Sequence, residues 1–159
     1  MNPHEQLIEE FYAAFAAHEP ETMDSCYHPE IEFHDPAFGT LHGDDAGDMW
    51  RMLISRGKNQ LVVEFSGIKA DQDRGSARWV ARYPFSRTGR NVVNEVTANF
   101  RFKDGLIIGH TDDFDFGKWA RQAFGISGWL FGNTAFFRKK VREQALSSLR
   151  KFQQKQARP

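Results

Sequence analysis

The sequence predicts one α+β domain, in which a curved antiparallel or mixed sheet wraps around N-terminal helices and a basic amphipathic helix follows. Two observations predict this class. Apolar residues recur at the helical period in the first 55 residues, and from residue 61 to 114 they alternate with polar residues as in strands. Helices followed by a run of long strands are typical of α+β layer structures, whose curved sheets leave a cavity beside the helices.

The N-terminal third predicts three helices and one short strand. Asn2, Pro3 and Glu5 form a helix start of the capping-box type, and Leu7, Phe11 and Phe15 follow as one apolar stripe. The later elements are a helix from Pro20 to about Tyr27, a strand near Glu30–His34 and a helix from about Gly43 to Ser55.

Four strands with period-two alternation follow, and Lys103-Asp104-Gly105 predicts a tight hairpin between the last two. The side chains expected on the inner face are Leu61, Val63 and Phe65; Ala77, Trp79, Ala81, Tyr83 and Phe85; Val92, Asn94, Val96, Ala98, Phe100 and Phe102; and Leu106, Ile108, His110, Asp112 and Phe114.

The charge is distributed unevenly along the chain. Residues 1–116 carry 11 Lys/Arg against 20 Asp/Glu, and residues 117–159 carry 10 Lys/Arg against one acid. We therefore expect a core domain over 1–125 and a basic helical extension over 126–159 that packs on the domain or on its dimer mate. Contact of 133–155 with a membrane surface is the alternative. Nucleic acid is not expected, because no stacked aromatics are interleaved with the basic run.

Composition predicts a cytoplasmic protein with neither metal nor cofactor. Cys26 is the only cysteine, and no signal-like or bilayer-spanning apolar run is present. His28, His34 and His42 lie among several acids, but their spacing matches no compact ligand motif. Neither a phosphate-binding glycine loop nor a Gly-x-Ser-x-Gly motif occurs.

Two carboxylates lie where a strand pattern is otherwise apolar. Asp35 ends a strand before Pro36, where it either closes a turn or serves as the base of a pocket. Asp112 shares a predicted strand face with apolar residues, and His110 on the same face is its natural partner if it is buried. Otherwise Asp112 is a polar strand end that reaches solvent. His34 alternates with Asp35 and is expected to point outward.

Several phrases resemble the nuclear-transport-factor-2-like superfamily, in its SnoaL-like, ketosteroid-isomerase-like and limonene-epoxide-hydrolase-like branch. The resemblance covers about residues 3–125. It rests on Phe11-Tyr12, on His28-Pro29-Glu30-Ile31-Glu32-Phe33-His34-Asp35-Pro36 with Gly39 and Gly43, on Phe100 to Ile107, and on His110-Thr111-Asp112-Asp113-Phe114-Asp115. It implies a cone-shaped, cystatin-like α+β barrel and a homodimer formed through the open sheet face.

The resemblance also implies roles for individual residues. Asp35 falls where ketosteroid isomerases hold a proton-shuttling aspartate, and Tyr12 falls near their oxyanion-binding tyrosine. Asp112 and His110 fall where SnoaL-like cyclases carry acid–base residues. One fold of this kind hosts several activities, so these roles are expectations about the site rather than about a single reaction.

The combined hypothesis is a cofactor-independent acid–base enzyme that acts on a small apolar carbonyl-like or epoxide-like substrate. Isomerase, cyclase, dehydratase and hydrolase chemistry all fit its predicted catalytic residues Asp35, Asp112, His110 and Tyr12. The alternative is a non-catalytic module that binds a small hydrophobic ligand or acts as a dimeric scaffold. The residues expected to bind the substrate are Trp50, Phe65, Trp79, Tyr83, Asn94, Ala98 and Phe100.

Overall fold

A computed structural model describes residues 1–157, with the exception of the side chain of Lys58. Six helices and six strands follow one another in these residues. In chain order they are α1 (Pro3–Ala16), α2 (Pro20–Ser25), β1 (Tyr27–Asp35), β2 (Gly39–His42), α3 (Asp44–Gly57), a 3-10 turn (Lys58–Gln60), β3 (Val62–Ala70), β4 (Arg74–Pro84), β5 (Asn91–Lys103), β6 (Leu106–Asp113), α4 (Phe116–Phe124), α5 (Ile126–Phe131) and α6 (Ala135–Ala157).

The strands form one curved, open mixed sheet in the order β2-β1-β6-β5-β4-β3. Strands β1 and β6 run parallel, and every other neighbouring pair in this sheet is antiparallel. The predicted α+β class is confirmed. The first strand was predicted too short, and β2 was not predicted, because its four residues carry too few alternations to be recognised.

Helix α1 supplies much of the core beside the sheet. Its start is the predicted capping box: Asn2 Oδ1 accepts from the Glu5 amide at 2.8 Å, and Glu5 Oε1 accepts from the Asn2 amide at 3.0 Å. The apolar stripe is buried at Phe11 and Phe15, and Ile8 is fully buried beside it. The cap sets where the helix begins, and the apolar stripe sets which face of it the core covers.

A bulge corrects the predicted face of β6. The pairing with β5 shifts between Arg101 and Phe102, so Phe102 pairs with Ile107 while Arg101 pairs with Gly109. Ile107 is therefore the fully buried residue, and Ile108, which was predicted to face inward, is only partly buried. Beyond the bulge the alternation continues as predicted, with His110 and Asp112 both buried.

Helix α6 begins at Ala135 and packs on α3. Leu149 is fully buried, and two polar residues beside it bind the acidic start of α3. Arg150 donates to both carboxylate oxygens of Asp45 at 2.9 and 3.0 Å, and Gln153 bridges Asp45 and Asp48. Part of the basic surface of the extension is thus directed at the acidic body of the same chain.

Among residues 1–157, none of the helices is both long enough and apolar enough to traverse a bilayer.

Leu149→Ala tests how firmly α6 belongs to the domain. We expect the free energy of unfolding to fall by about 2–4 kcal/mol, because the substitution leaves a cavity in a buried contact. Leu130→Ala is the matched control, since Leu130 is 67% exposed. Urea denaturation measures both changes, and equal small effects would mean that α6 does not contribute to the folded core.

Candidate functional site

One cavity of about 760 Å³ lies between the concave side of the sheet and helices α3, α4 and α6. Its buried part is lined by aromatic and other apolar side chains, chiefly Phe15, Trp50, Met52, Trp79 and Ala81. Helix α6 adds Val141 and Ala145 to the wall. Asp35 and Asp112 are the acidic residues among those that line it. The structure thus brings the two predicted carboxylates to one apolar chamber of a size suited to a small molecule.

Asp35 ends β1 and is engaged through one of its two oxygens. Its Oδ1 accepts from the backbone amides of Ala37 and Phe38 at 2.9 and 2.6 Å, which closes the turn before β2. Oδ2 takes part in no hydrogen bond within residues 1–157. Burial raises the pKa of Asp35 to about 7, and the negative charge of Asp112 adds to the rise. A carboxylate that titrates near neutrality both accepts and returns protons readily.

Asp112 ends a chain of hydrogen bonds that crosses the core. Trp50 Nε1 donates to the Tyr27 hydroxyl at 2.9 Å, and this hydroxyl lies 2.7 Å from His110 Nδ1. His110 Nε2 lies 2.8 Å from Asp112 Oδ1, which also accepts from Trp79 Nε1 at 3.2 Å. The chain links α3, β1 and β6 to the carboxylate on the cavity wall. It supplies the partners that a buried carboxylate requires.

The hydrogen bonds of Tyr27 place His110 behind Asp112. Burial raises the pKa of Tyr27 well above its ordinary value, so its hydroxyl keeps its proton. The hydroxyl oxygen accepts from Trp50, and His110 Nδ1 lies within hydrogen-bond distance of the same hydroxyl. His110 Nε2 faces Asp112, so His110 holds the orientation of Asp112 from behind, and it does not itself line the cavity.

Tyr83 on β4 is another polar residue of the cavity wall. Trp119 Nε1 donates to its hydroxyl oxygen at 2.9 Å, and no hydrogen bond within the described part of the chain uses the hydroxyl's own proton. Burial raises its pKa to about 12, with a further contribution from the charge of Asp35. Tyr83 is thus a neutral donor close to Asp35. Asn94 also lines the cavity and can bind a polar group of a ligand.

The other predicted site residues lie away from the cavity wall. Tyr12 is fully buried, and its hydroxyl has no hydrogen-bond partner among the described residues. Phe65 stacks on the Tyr12 ring at 5.8 Å, and Phe100 packs against His110 at 4.6 Å. Ala98 is fully buried beside Asp112 in the sheet. Phe65 and Phe100 both pack against Tyr12 of α1, and they therefore belong to the core rather than to the cavity wall.

Sequence reasoning missed Tyr27 and Trp119, and it named Tyr83 as substrate-binding without a role for its hydroxyl. Strand β1 was predicted to begin after Tyr27, so the hydrogen bond between Tyr27 and His110 was not predicted. Tyr83 was predicted only as an apolar wall, and Trp119 lies on α4, which was not predicted. These polar groups could have been suspected from the sequence, because a tyrosine or tryptophan at a buried position usually directs its polar atom to a hydrogen-bond partner.

Within residues 1–157, no group of three or more His, Cys, Asp or Glu side chains is arranged to hold a metal ion. The predicted outward position of His34 agrees with its exposure, and its Nδ1 lies 3.0 Å from the hydroxyl of Thr40.

Two tyrosine substitutions separate an unpartnered hydroxyl from a partnered one. Tyr12→Phe should leave stability unchanged or raise it, because no described hydrogen bond is lost. Tyr27→Phe should lower the free energy of unfolding by about 1–3 kcal/mol, since Trp50 and His110 both lose a buried partner. Urea denaturation of the two variants measures the difference, and equal losses would contradict the assignment.

Asp35→Asn tests the raised pKa through stability. The folded protein holds the Asp35 proton more tightly than the unfolded chain, so the wild type loses stability as the pH rises from about 4 to about 7. The variant avoids that loss and keeps an oxygen for the Ala37 and Phe38 amides. We expect its advantage to grow by roughly 2–4 kcal/mol across this range. A constant difference between the two proteins at all pH values would contradict the shift.

Solved structures share this fold over most of their length. An NTF2-like protein of unknown function from Burkholderia pseudomallei K96243 is 18% identical and has a TM-score of 0.67, over 79% of this chain and all of that one. A putative polyketide cyclase from Xanthomonas campestris pv. campestris is 18% identical with a TM-score of 0.62, over 76% and 96% of the two chains. An LEH-like epoxide hydrolase of M. tuberculosis is 21% identical with a TM-score of 0.56, over 84% and 94%.

The resemblance noted in the sequence is confirmed by these matches and by the family comparison. No curated protein is significantly similar to the chain in sequence. The model of the SnoaL-like domain matches residues 8–110, which run from within α1 through β5 to His110 in β6. Since this match spans more than half of the chain, the protein belongs to the SnoaL-like family.

Proposed function

We propose that this protein is a cofactor-independent acid–base enzyme for a small apolar substrate with a carbonyl or epoxide group. The observation that carries the proposal is that Asp35 and Asp112 both line one cavity with an apolar buried part. Burial in this cavity raises the pKa of Asp35 to about 7. Catalytic bases work best when their pKa lies near the working pH. Raised carboxylate pKa values in clefts are also more frequent at functional sites than elsewhere.

In the proposed reaction, the free oxygen of Asp35 removes a proton from the carbon next to a bound carbonyl. The electron pair of the broken C–H bond moves toward the carbonyl oxygen, and the hydroxyl of Tyr83 donates a hydrogen bond to the developing charge. If the substrate carries a C=C bond one carbon further along, the enolate is conjugated, and protonated Asp35 then returns the proton to the far carbon of that bond. The C=C bond moves next to the carbonyl, which completes an isomerisation. With an epoxide, Asp35 would instead take a proton from water as the water oxygen bonds to a ring carbon and the C–O bond of the ring breaks. The Tyr83 hydroxyl would protonate the opened oxygen and recover its proton from Asp35.

Asp112 has a supporting role in this scheme. Its charge raises the pKa of Asp35, and its bonds to His110 and Trp79 keep the carboxylate in one orientation. The chain through Tyr27 and Trp50 acts behind it as a positioning element. We assign the oxyanion donor to Tyr83 rather than to Tyr12, because Tyr83 lines the cavity and Tyr12 does not.

The hydrogen bonds of the two carboxylates favour a second candidate, a non-catalytic module that binds an apolar ligand. Asp35 Oδ1 is occupied by two backbone amides, and Asp112 Oδ1 by Trp79 and His110. Carboxylates held in this way also serve to fix a turn and a strand end. Turnover distinguishes the two candidates, because both predict binding.

Two further expectations belong to this proposal. The outer face of the sheet, with Arg78 and Thr97 exposed on β4 and β5, is the surface through which we propose that two copies form a homodimer. We also propose a cytoplasmic location, which suits a single, buried and unpaired cysteine. Sedimentation velocity tests the first, and fractionation of the native cells tests the second.

Proton exchange tests the proposed chemistry without knowledge of the natural substrate. Apolar ketones with acidic α-protons, such as 2-tetralone, are incubated with the protein in deuterated buffer and followed by NMR. We expect exchange to rise with pH and to level off above about pH 7, where Asp35 is ionised. Asp35→Asn should slow it by roughly 10²–10⁴-fold.

The controls of this experiment use matched carboxylates. Asp73→Asn alters an exposed residue of the β3–β4 turn and should leave exchange unchanged. Asp112→Asn should move the pH profile of the remaining activity to lower pH, because it removes a charge that raises the pKa of Asp35. If the wild type binds the ketone but exchanges its protons no faster than Asp35→Asn does, the non-catalytic binding module is favoured.

A further inference from the structure

The segment 126–136, here called the apolar knob, exposes most of the large apolar side chains on the surface. Ile126, Trp129, Leu130, Phe131 and Phe136 are 79, 73, 67, 53 and 71% exposed. Elsewhere in residues 1–157 the exposed large hydrophobics are Met1, Val62 and Val93. Single exposed apolar residues are ordinary, but five within eleven consecutive residues indicate a surface that contacts another apolar phase.

The packing of α5 on α4 fixes which side of the knob faces outward. Gly128 lies directly against the backbone of Ala120 and Arg121, so close that a Cβ atom at this position would overlap them. The glycine side of α5 is therefore buried against α4, and Trp129 and Leu130 on the other sides remain free. The exposure of the knob thus follows from a close contact within the fold.

The chain on either side of the apolar knob is positively charged. Residues 116–142 contain six Lys or Arg and no acid. Two of these cations rest on the exposed aromatics themselves. The Arg121 guanidinium lies 5.1 Å from the ring centre of Trp129, and the Lys140 ammonium lies 5.5 Å from that of Phe136. A partner must therefore accept apolar side chains and supply negative charge at the same place.

A second copy of the chain meets these requirements poorly. Packing knob against knob would bring Arg138, Lys139 and Lys140 of both copies together, which like charges oppose. The acidic body offers the opposite charge, but its exposed large hydrophobics are too few to cover the five of the knob. An anionic bilayer satisfies both demands, since its headgroups attract cations and its boundary region takes up Trp, Leu and Phe side chains.

We infer that the apolar knob docks this protein onto an anionic lipid surface. Trp129, Leu130, Phe131 and Phe136 enter the boundary between headgroups and acyl chains, while Lys139 and Lys140 lie at the headgroups. The same part of the fold borders the cavity, because Trp119 and Phe124 on α4 and Val141 on α6 line it. Docking therefore brings the cavity close to molecules dissolved in the bilayer, whether the protein converts them or only binds them.

Vesicle flotation tests the inference with the full chain. We expect binding to phosphatidylcholine vesicles that contain phosphatidylglycerol, and at least about tenfold weaker binding to phosphatidylcholine alone. Trp129→Gln with Leu130→Gln should weaken binding to the anionic vesicles by about tenfold or more. Lys139→Glu with Lys140→Glu should do the same, and added salt should weaken binding of the wild type.

Matched pairs elsewhere on the surface serve as controls. Val62→Gln with Val93→Gln removes as many exposed apolar residues from the outer face of the sheet, and sedimentation velocity shows whether this pair alters the proposed homodimer. Lys69→Glu with Lys103→Glu reverses as many charges. Both pairs should float like the wild type, with circular dichroism confirming that all variants fold. Absence of wild-type binding to anionic vesicles would overturn the inference. So would a knob variant that loses self-association in sedimentation velocity while it keeps its lipid binding.

Discussion

The burial of Asp112 is the constraint on which the interior depends. A carboxylate at a 3% exposed position is stable only with partners, and these come from three separate parts of the chain. His110 on the same strand, Trp79 on β4 and, through Tyr27, Trp50 on α3 all orient toward it. The same hydrogen bonds therefore determine how α3 and β1 sit against β6, so the fold and the candidate site share one set of contacts.

The two carboxylates of the cavity differ in how the protein compensates them. Asp112 accepts hydrogen bonds from side chains. Asp35 accepts two backbone amides on one oxygen, and burial still raises its pKa to about 7. A pair of acids with unequal surroundings is a common basis for dividing proton-transfer roles in a site. In the proposed function Asp35 exchanges the proton, and Asp112 supplies the charge that tunes it.

Local patterns in the sequence predicted much of the fold, and the failures have physical reasons. The capping box at Asn2 and the alternation in β4 and β5 depend on near neighbours, so they could be recognised directly. The bulge that exchanges Ile108 for Ile107 depends on pairing with another strand, which no local pattern records. For Asp35, a turn and a pocket are alternatives in the sequence, yet its two oxygens allow both at once, because Oδ1 accepts from the turn amides while Oδ2 remains available. The partners Tyr27 and Trp119 arise from contacts far apart in the chain.

Helix α6 lies beyond the part of the chain that the SnoaL-like domain covers, yet it forms one side of the chamber with Val141, Gln144, Ala145 and Ser148. The two acids lie on β1 and β6, whereas helix α6 forms one wall of the cavity. Reactive groups and steric selection are thereby encoded in separate stretches of polypeptide. Substitutions in α6 can therefore change which molecules fit the cavity without altering the two acids. Homologues with equivalent acids but a different α6 are expected to bind different ligands.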